Sequence, residues 1–204
     1  MKPPMKRKFL TILVAALWFG LAKAGHGGEP LDIVKSAADR AIAVLKDPWL
    51  KAPERKKERI ERLKEIINPI FDYQEMARRS LGPHWRRRSP AEQEEFAKLF
   101  RAYLENIYSD RVDLYEGEKV TFGRETIDQD YAQVESLVSN AKGEENSVVY
   151  RLKRTDGNKW KVYDAIVENI SIVNNYRSQF DRVISKFSYE ELKKILREKG
   201  RTGF

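Results

Sequence analysis

The hydrophobic period of this chain changes twice. Before residue 110, apolar side chains recur at helical spacing. Phe96, Leu99, Phe100, Tyr103, Leu104, Ile107 and Tyr108 fall at i, +3, +4, +7, +8, +11 and +12, so one face of that helix is large and apolar throughout. After Glu116-Gly117 the period becomes two. Val120–Ile127, Tyr131–Ser139, Ser147–Arg154 and Trp160–Val167 each read as a strand, with Ala132, Val134, Ser136 and Val138 alternating against Gln133 and Glu135. Asp156-Gly157 supplies a hairpin signal. From Ile172 the helical period returns through Val173, Tyr176, Phe180, Val183, Ile184 and Phe187. Short links between strands favour antiparallel pairing. Helices, four strands and helices again predict an α+β fold: a four-stranded or slightly larger antiparallel curved sheet, with helices from both termini packed on one face.

The helix ends are written in the sequence. Leu31–Lys46 is stopped by Asp47-Pro48, and Arg55–Ile67 by Pro69. Asp72-Tyr73-Gln74-Glu75 is a capping box opening a short helix that ends at Leu81-Gly82-Pro83. Ser89-Pro90-Ala91-Glu92 opens the next, with proline at its first position. Ser188-Tyr189-Glu190-Glu191 opens the last, which Gly200 closes.

The N-terminus carries an export pattern. Lys2, Lys6, Arg7 and Lys8 precede the apolar run Phe9–Ala22, followed by Ala22-Lys23-Ala24. A basic start, a short apolar core and small residues at the cut mark a secretory signal peptide, residues 1–24, cleaved after Ala24. Residues 25–204 then form one domain. The full chain has 39 basic and 31 acidic residues, a charge of +8, but five of the bases precede residue 25, leaving 34 against 31 and a charge of +3. That balance gives no electrostatic case for nucleic acid. The chain has no cysteine. An exported, disulfide-free domain large enough to bury its own core fits a bacterial periplasm.

Catalytic chemistry is sparse. Two histidines, His26 and His84, and no cysteine give no metal set, and neither a nucleophile elbow nor a phosphate-binding glycine loop occurs. Asp164 stands among Val162, Tyr163, Ala165 and Ile166. Strand alternation places it on the face of Trp160, Val162 and Ile166, where a carboxylate needs a cation or several donors. Arg177 on the following helix is the candidate partner, and Asp164 and Arg177 are read as structural. Arg78, Arg79, Arg86, Arg87 and Arg88 form the strongest basic cluster. It is a solvated rim or a contact for lipid headgroups or an acidic partner.

The stretch NPIFDYQEMARRSLGPHWRRRSPAEQEEFAKLFRAYLENIY resembles the MlaC family of periplasmic phospholipid-binding proteins, also called toluene-tolerance proteins. The resemblance rests on Pro69, Phe71 and Asp72; on Leu81, Gly82 and Trp85; on Gln93 and Phe96; and on Leu104 and Tyr108. A second set follows: Trp160, Val162, Tyr163 and Asp164, then Glu168, Ser171, Tyr176, Arg177 and Phe180. Together they cover about residues 31 to 190. Where the family usually has glycine this chain has Asn169, the residue that best tolerates a left-handed backbone after glycine.

The resemblance implies a carrier, without metal, cofactor or turnover. It would be a monomer moving phospholipid between an inner-membrane ABC-transporter complex and an outer-membrane complex. It also implies that sheet and helices enclose an apolar cavity. An acyl chain burying about 14 methylenes at roughly 0.8 kcal/mol each gains about 11 kcal/mol over water. The residues expected to line the cavity are Phe96, Phe100, Tyr103, Leu104, Ile107, Tyr150, Leu152, Trp160, Val162, Val173, Tyr176 and Phe180. Three alternatives stand beside this one: a carrier of hopanoid-type lipid, a small cone-shaped α+β enzyme using Asp164, and a ligand-free adaptor.

Overall fold

The computed structural model describes residues 29–109, 112–140 and 142–200. Residues 1–24, read as a signal peptide, lie outside the described residues. Four helices come first: α1 (Glu29–Lys46), α2 (Lys56–Ile67), α3 (Tyr73–Leu81) and α4 (Pro90–Ser109). The sheet follows as β1 (Lys119–Asp128), β2 (Tyr131–Ser139), β3 (Glu145–Arg154), β4 (Trp160–Val167) and β5 (Ile170–Ser171). The chain closes with α5 (Ile172–Lys186) and α6 (Tyr189–Lys199).

The capping residues act as their types dictate. Asp72 accepts from the Glu75 amide, Ser188 from the Glu191 amide and Ser171 from the Asn174 amide. At the head of α4, Ser89 N–H donates to Glu92 Oε2 at 2.8 Å while Glu92 N–H donates back to Ser89 Oγ at 3.3 Å.

The sheet is an antiparallel meander in the order β1-β2-β3-β4-β5, with helices packed on one face. It has one strand more than the four segments read from the sequence. The fifth is two residues long, too short for any period, and exists because the chain reverses at Glu168 and Asn169. Both sit at positive φ, +47° and +64°, so the hairpin turn has left-handed residues at both central positions. Asn169 takes the conformation for which glycine is otherwise used.

One irregularity redirects β4. Leu152 pairs with Val162, but Arg151 pairs with Asp164, so Tyr163 is an extra residue in the ladder, a β-bulge. Adjacent residues of β3 face opposite ways. Asp164, paired with Arg151, therefore lies on the opposite face from Val162, paired with Leu152. Strict alternation put the two on one face; the bulge separates them.

Two apolar cores result. One lies among α3, α4, α5 and α6, where Phe96, Phe100 and Leu104 meet Phe180, Leu192 and Leu196. Phe180 sets its ring edge-on to Phe96 and Phe100, with centroids 5.7 and 5.3 Å apart. The other joins α1 to the sheet through Val34, Ala132, Val134, Leu152, Trp160 and Val162.

Candidate functional site

Between α1, α2 and the sheet the packing is incomplete. A cavity of about 660 Å³ opens there, within the roughly 300–1,000 Å³ usual for small-molecule sites. Its walls follow from local sequence. The apolar stripe of α1 is built partly of alanines, and Ala37, Ala38 and Ala41 reach too short a distance to fill the space, with Ile42 and Leu45 beyond them. Ile60, Leu63 and Ile67 of α2 close one side, and Val120, Val138 and Tyr150 of the first three strands form the floor. The end of α4 contributes Tyr108, and a 3-10 turn at Val112–Leu114 contributes Val112 and Leu114. Leu114 is 67% exposed and Tyr108 49%, which puts both at the mouth. A second, more polar groove of about 510 Å³ runs along the other side of α1, past Glu29, Asp32 and Arg40. It shares Ala37 and Ile70 with the first.

Polar groups in the cavity wall already have partners. Tyr73 O–H donates to Asn68 Oδ1 at 2.8 Å. Burial, then the nearby Glu105 carboxylate, holds the Tyr73 phenol far above its ordinary pKa. Glu105 accepts from Arg101 Nε at 2.6 Å, and Ser109 Oγ donates to the Glu105 carbonyl at 2.7 Å. Burial also pushes the Tyr150 phenol up, offset in part by the Ser136 hydroxyl. These groups stay neutral or paired, so the surface offered to a guest is mostly aliphatic and aromatic carbon.

The residues singled out in the sequence separate into distinct places. Phe96, Phe100, Tyr103, Leu104, Val173, Tyr176 and Phe180 belong to the helical core or pack against it, and Ile107 is half-buried on α4. Leu152, Trp160 and Val162 belong to the core between α1 and the sheet. Of the twelve, Tyr150 lines the cavity. A helical stripe reports that a face is covered, without saying whether protein or guest covers it. The sequence signal that could have found the walls is residue size: alanines at Ala38 and Ala41, on a face whose neighbours are Val34, Ile42 and Leu45.

The arginines do not act as one patch. Arg78 Nε and Nη2 each donate to Glu75 at 2.6 Å, and Arg79 Nε donates to it at 2.8 Å. Burial alone would raise the Glu75 pKa, but the hydrogen bonds and charges of Arg78 and Arg79 outweigh it and bring it down to about 2. Arg79 also lies over the Tyr163 ring, and Arg88 over that of Tyr189. Arg86 and Arg87 are exposed.

Asp164 is almost fully buried. Its carboxylate accepts from Ser171 Oγ at 2.7 Å and from Val173 N–H at 3.1 Å, and faces Arg151 Nη1 at 3.5 Å. The cation beside it is thus Arg151 rather than Arg177, because the bulge turned it toward β3's outer residue. The Arg177 side chain instead runs past Gly82. Asp164 ties β4 to the start of α5. Among the described residues, no three or more His, Cys, Asp or Glu side chains gather to hold a metal. No described helix is long and apolar enough to cross a membrane.

The sequence profile of the family described as MlaC protein matches residues 35–198. Among solved structures, the chain is similar to a phospholipid-binding protein from Ralstonia solanacearum determined in complex with a phospholipid. The TM-score is 0.74 and the identity 26%, over 84% of this chain and 97% of that one. Comparison with curated proteins gives no match.

Proposed function

The chain belongs to the MlaC protein family, and from that premise we propose that it carries phospholipid with the acyl chains in the cavity under α1. Family membership makes it a periplasmic, lipid-binding protein and not an enzyme. The finer reading is that it shuttles lipid, as a monomer, between an inner-membrane ABC-transporter complex and an outer-membrane complex. Residues 25–204 then act as one lipid-binding domain after removal of residues 1–24, and the sheet curves around its cargo.

One observation carries this reading. The cavity has an apolar wall whose polar members are already paired. A chain of methylenes is the guest that gains most there and asks for nothing back. The similar Ralstonia solanacearum protein, of nearly the same extent, holds a phospholipid.

The test is native mass spectrometry of the protein purified from a bacterial periplasm, followed by organic extraction. Recovery of a diacyl phospholipid in stoichiometric amount is expected. Repeated recovery of empty protein, even after incubation with phospholipid vesicles, would refute the carrier and favour an adaptor. A hopanoid in the extract would replace the cargo.

A further inference from the structure

Two cations, Lys56 and Arg59, share one carboxylate beside the cavity rim. Lys56 opens α2 and Arg59 lies one turn on, so both project from one side of that helix. Their helix neighbours Ile60 and Leu63 line the cavity wall. Arg59 is buried, its side chain 7% exposed, and its Nε finds no hydrogen-bond partner among the described residues. Such an arginine costs stability unless its charge and donors are used.

What faces these cations is Asp113. One of its oxygens accepts from Arg59 Nη2, and the other lies 2.5 Å from Lys56 Nζ. Asp113 is half-exposed and is the middle residue of the 3-10 turn whose flanking residues, Val112 and Leu114, form the rim. A carboxylate thus holds, with a two-oxygen fork and one negative charge, the seat between an arginine and a lysine. The two non-bridging oxygens of a phosphodiester have the same fork and charge, on an atom with two further oxygens. The seat adjoins the cavity at Val112 and Leu114, which flank Asp113 and line the wall.

We propose that Lys56 and Arg59 are the phosphate seat for the carried lipid, and that Asp113 occupies this seat when no lipid is present. The inference rests on the carrier reading and names its headgroup contact. Lipid entry exchanges one anion for another and releases the Val112–Leu114 turn from α2. Lipid exit restores the internal ion pair, so the cations are never left bare. The shared chemistry is a phosphate ester, and the phospholipid is the source assigned, because the seat adjoins an apolar cavity.

The experiment compares delipidated wild-type protein with Lys56→Gln and Asp113→Asn. Equilibrium binding is measured for a pyrene-labelled phosphatidylglycerol and for a pyrene-labelled diacylglycerol with the same chains. Lys56 is 43% exposed, so its substitution leaves the core alone, and circular dichroism verifies the fold of each variant. Lys56→Gln should weaken phosphatidylglycerol binding about tenfold, the loss of one charge-assisted contact, and leave diacylglycerol unchanged. Asp113→Asn should strengthen phosphatidylglycerol binding, because the competing anion is gone. Equal losses for both lipids, no change for either, or weaker phosphatidylglycerol binding by Asp113→Asn would overturn the seat while leaving the carrier intact. Uptake of neither lipid by the wild type would defeat the carrier and the seat with it. Glycerol 3-phosphate at the concentration of the lipid should not displace it. Displacement at lipid-like concentration would make this a free-phosphate site and overturn the assignment.

Discussion

Ala41 separates a cavity wall from an ordinary core position by the sign of one measurement. It is half-buried on α1 and lines the cavity. Ala41→Leu adds three carbons. Burying all of them is worth about 2.4 kcal/mol at roughly 0.8 kcal/mol per methylene, and a half-filled site realises about half to two-thirds of that. Ordering the leucine side chain costs about 0.5 kcal/mol. The lipid-free protein should therefore gain roughly 1 kcal/mol. With a urea slope of about 2 kcal/mol/M, the unfolding midpoint should rise by about 0.5 M. In a filled core the same substitution overpacks and costs about 1–3 kcal/mol, moving the midpoint down. Acyl-chain affinity should move against stability. Leucine takes the place of up to three methylenes of guest, so binding should weaken by up to about fifty-fold. A lower midpoint, or a stabilised protein that binds lipid as tightly as before, would refute the assignment of the cavity.

Other consequences are measurable by the same unfolding assay. Asp164→Ala strands the Val173 N–H and the charge of Arg151, and should cost about 2–4 kcal/mol; Asp164→Asn should cost less and retain lipid binding, and its failure to bind while folded would revive a chemical role. Gly82 has φ +56° and ψ −130°, and a Cβ there would lie 2.9 Å from Arg177 Nε. Gly82→Ala should destabilise by about 1–3 kcal/mol, and a neutral effect would discount that turn. Glu75 ionises more easily folded, near 2, than its ordinary 4.5. Its contribution is therefore present above pH 4.5 and is lost as pH falls toward 2. Arg78 is half-exposed, which reduces that contribution to about 1–2 kcal/mol. Glu75→Gln should flatten the stability profile across this acid window, and an unchanged slope would contradict the pairing.

Much of the fold was legible because it is local. The strand starts at Tyr131 and Trp160 and the caps at Asp72, Ser89 and Ser188 were read from neighbours a few residues apart, and the structure has them there. The bulge at Tyr163 was not legible. An extra residue in a ladder is defined by the partner strand, and nothing within Trp160–Val167 announces it. The site was harder still. Phe96, Phe100 and Phe180 carry the strongest apolar signal in the chain, and they spend it on one another. A cavity is made by what is missing, so its sequence trace is a set of small side chains at Ala37, Ala38 and Ala41, which a search for large apolar residues passes over. Lys56 and Arg59 lay hidden in a charged helix, since only the fold brings Asp113 to them, to Arg59 across 54 positions.

The helical core is split in sequence. Phe96 and Leu104 come before the sheet, and Phe180, Leu192 and Leu196 come after it. Glu95 receives Lys193 from 98 positions away. Until the last two helices have been made, α4 has no cover for its aromatic face, and the first half of the chain has no closed core in which to settle. Contacts this distant form slowly, because the intervening loop must close first. A chain that stops before α5 leaves the aromatic face of α4 uncovered, so this core is completed only by the last two helices.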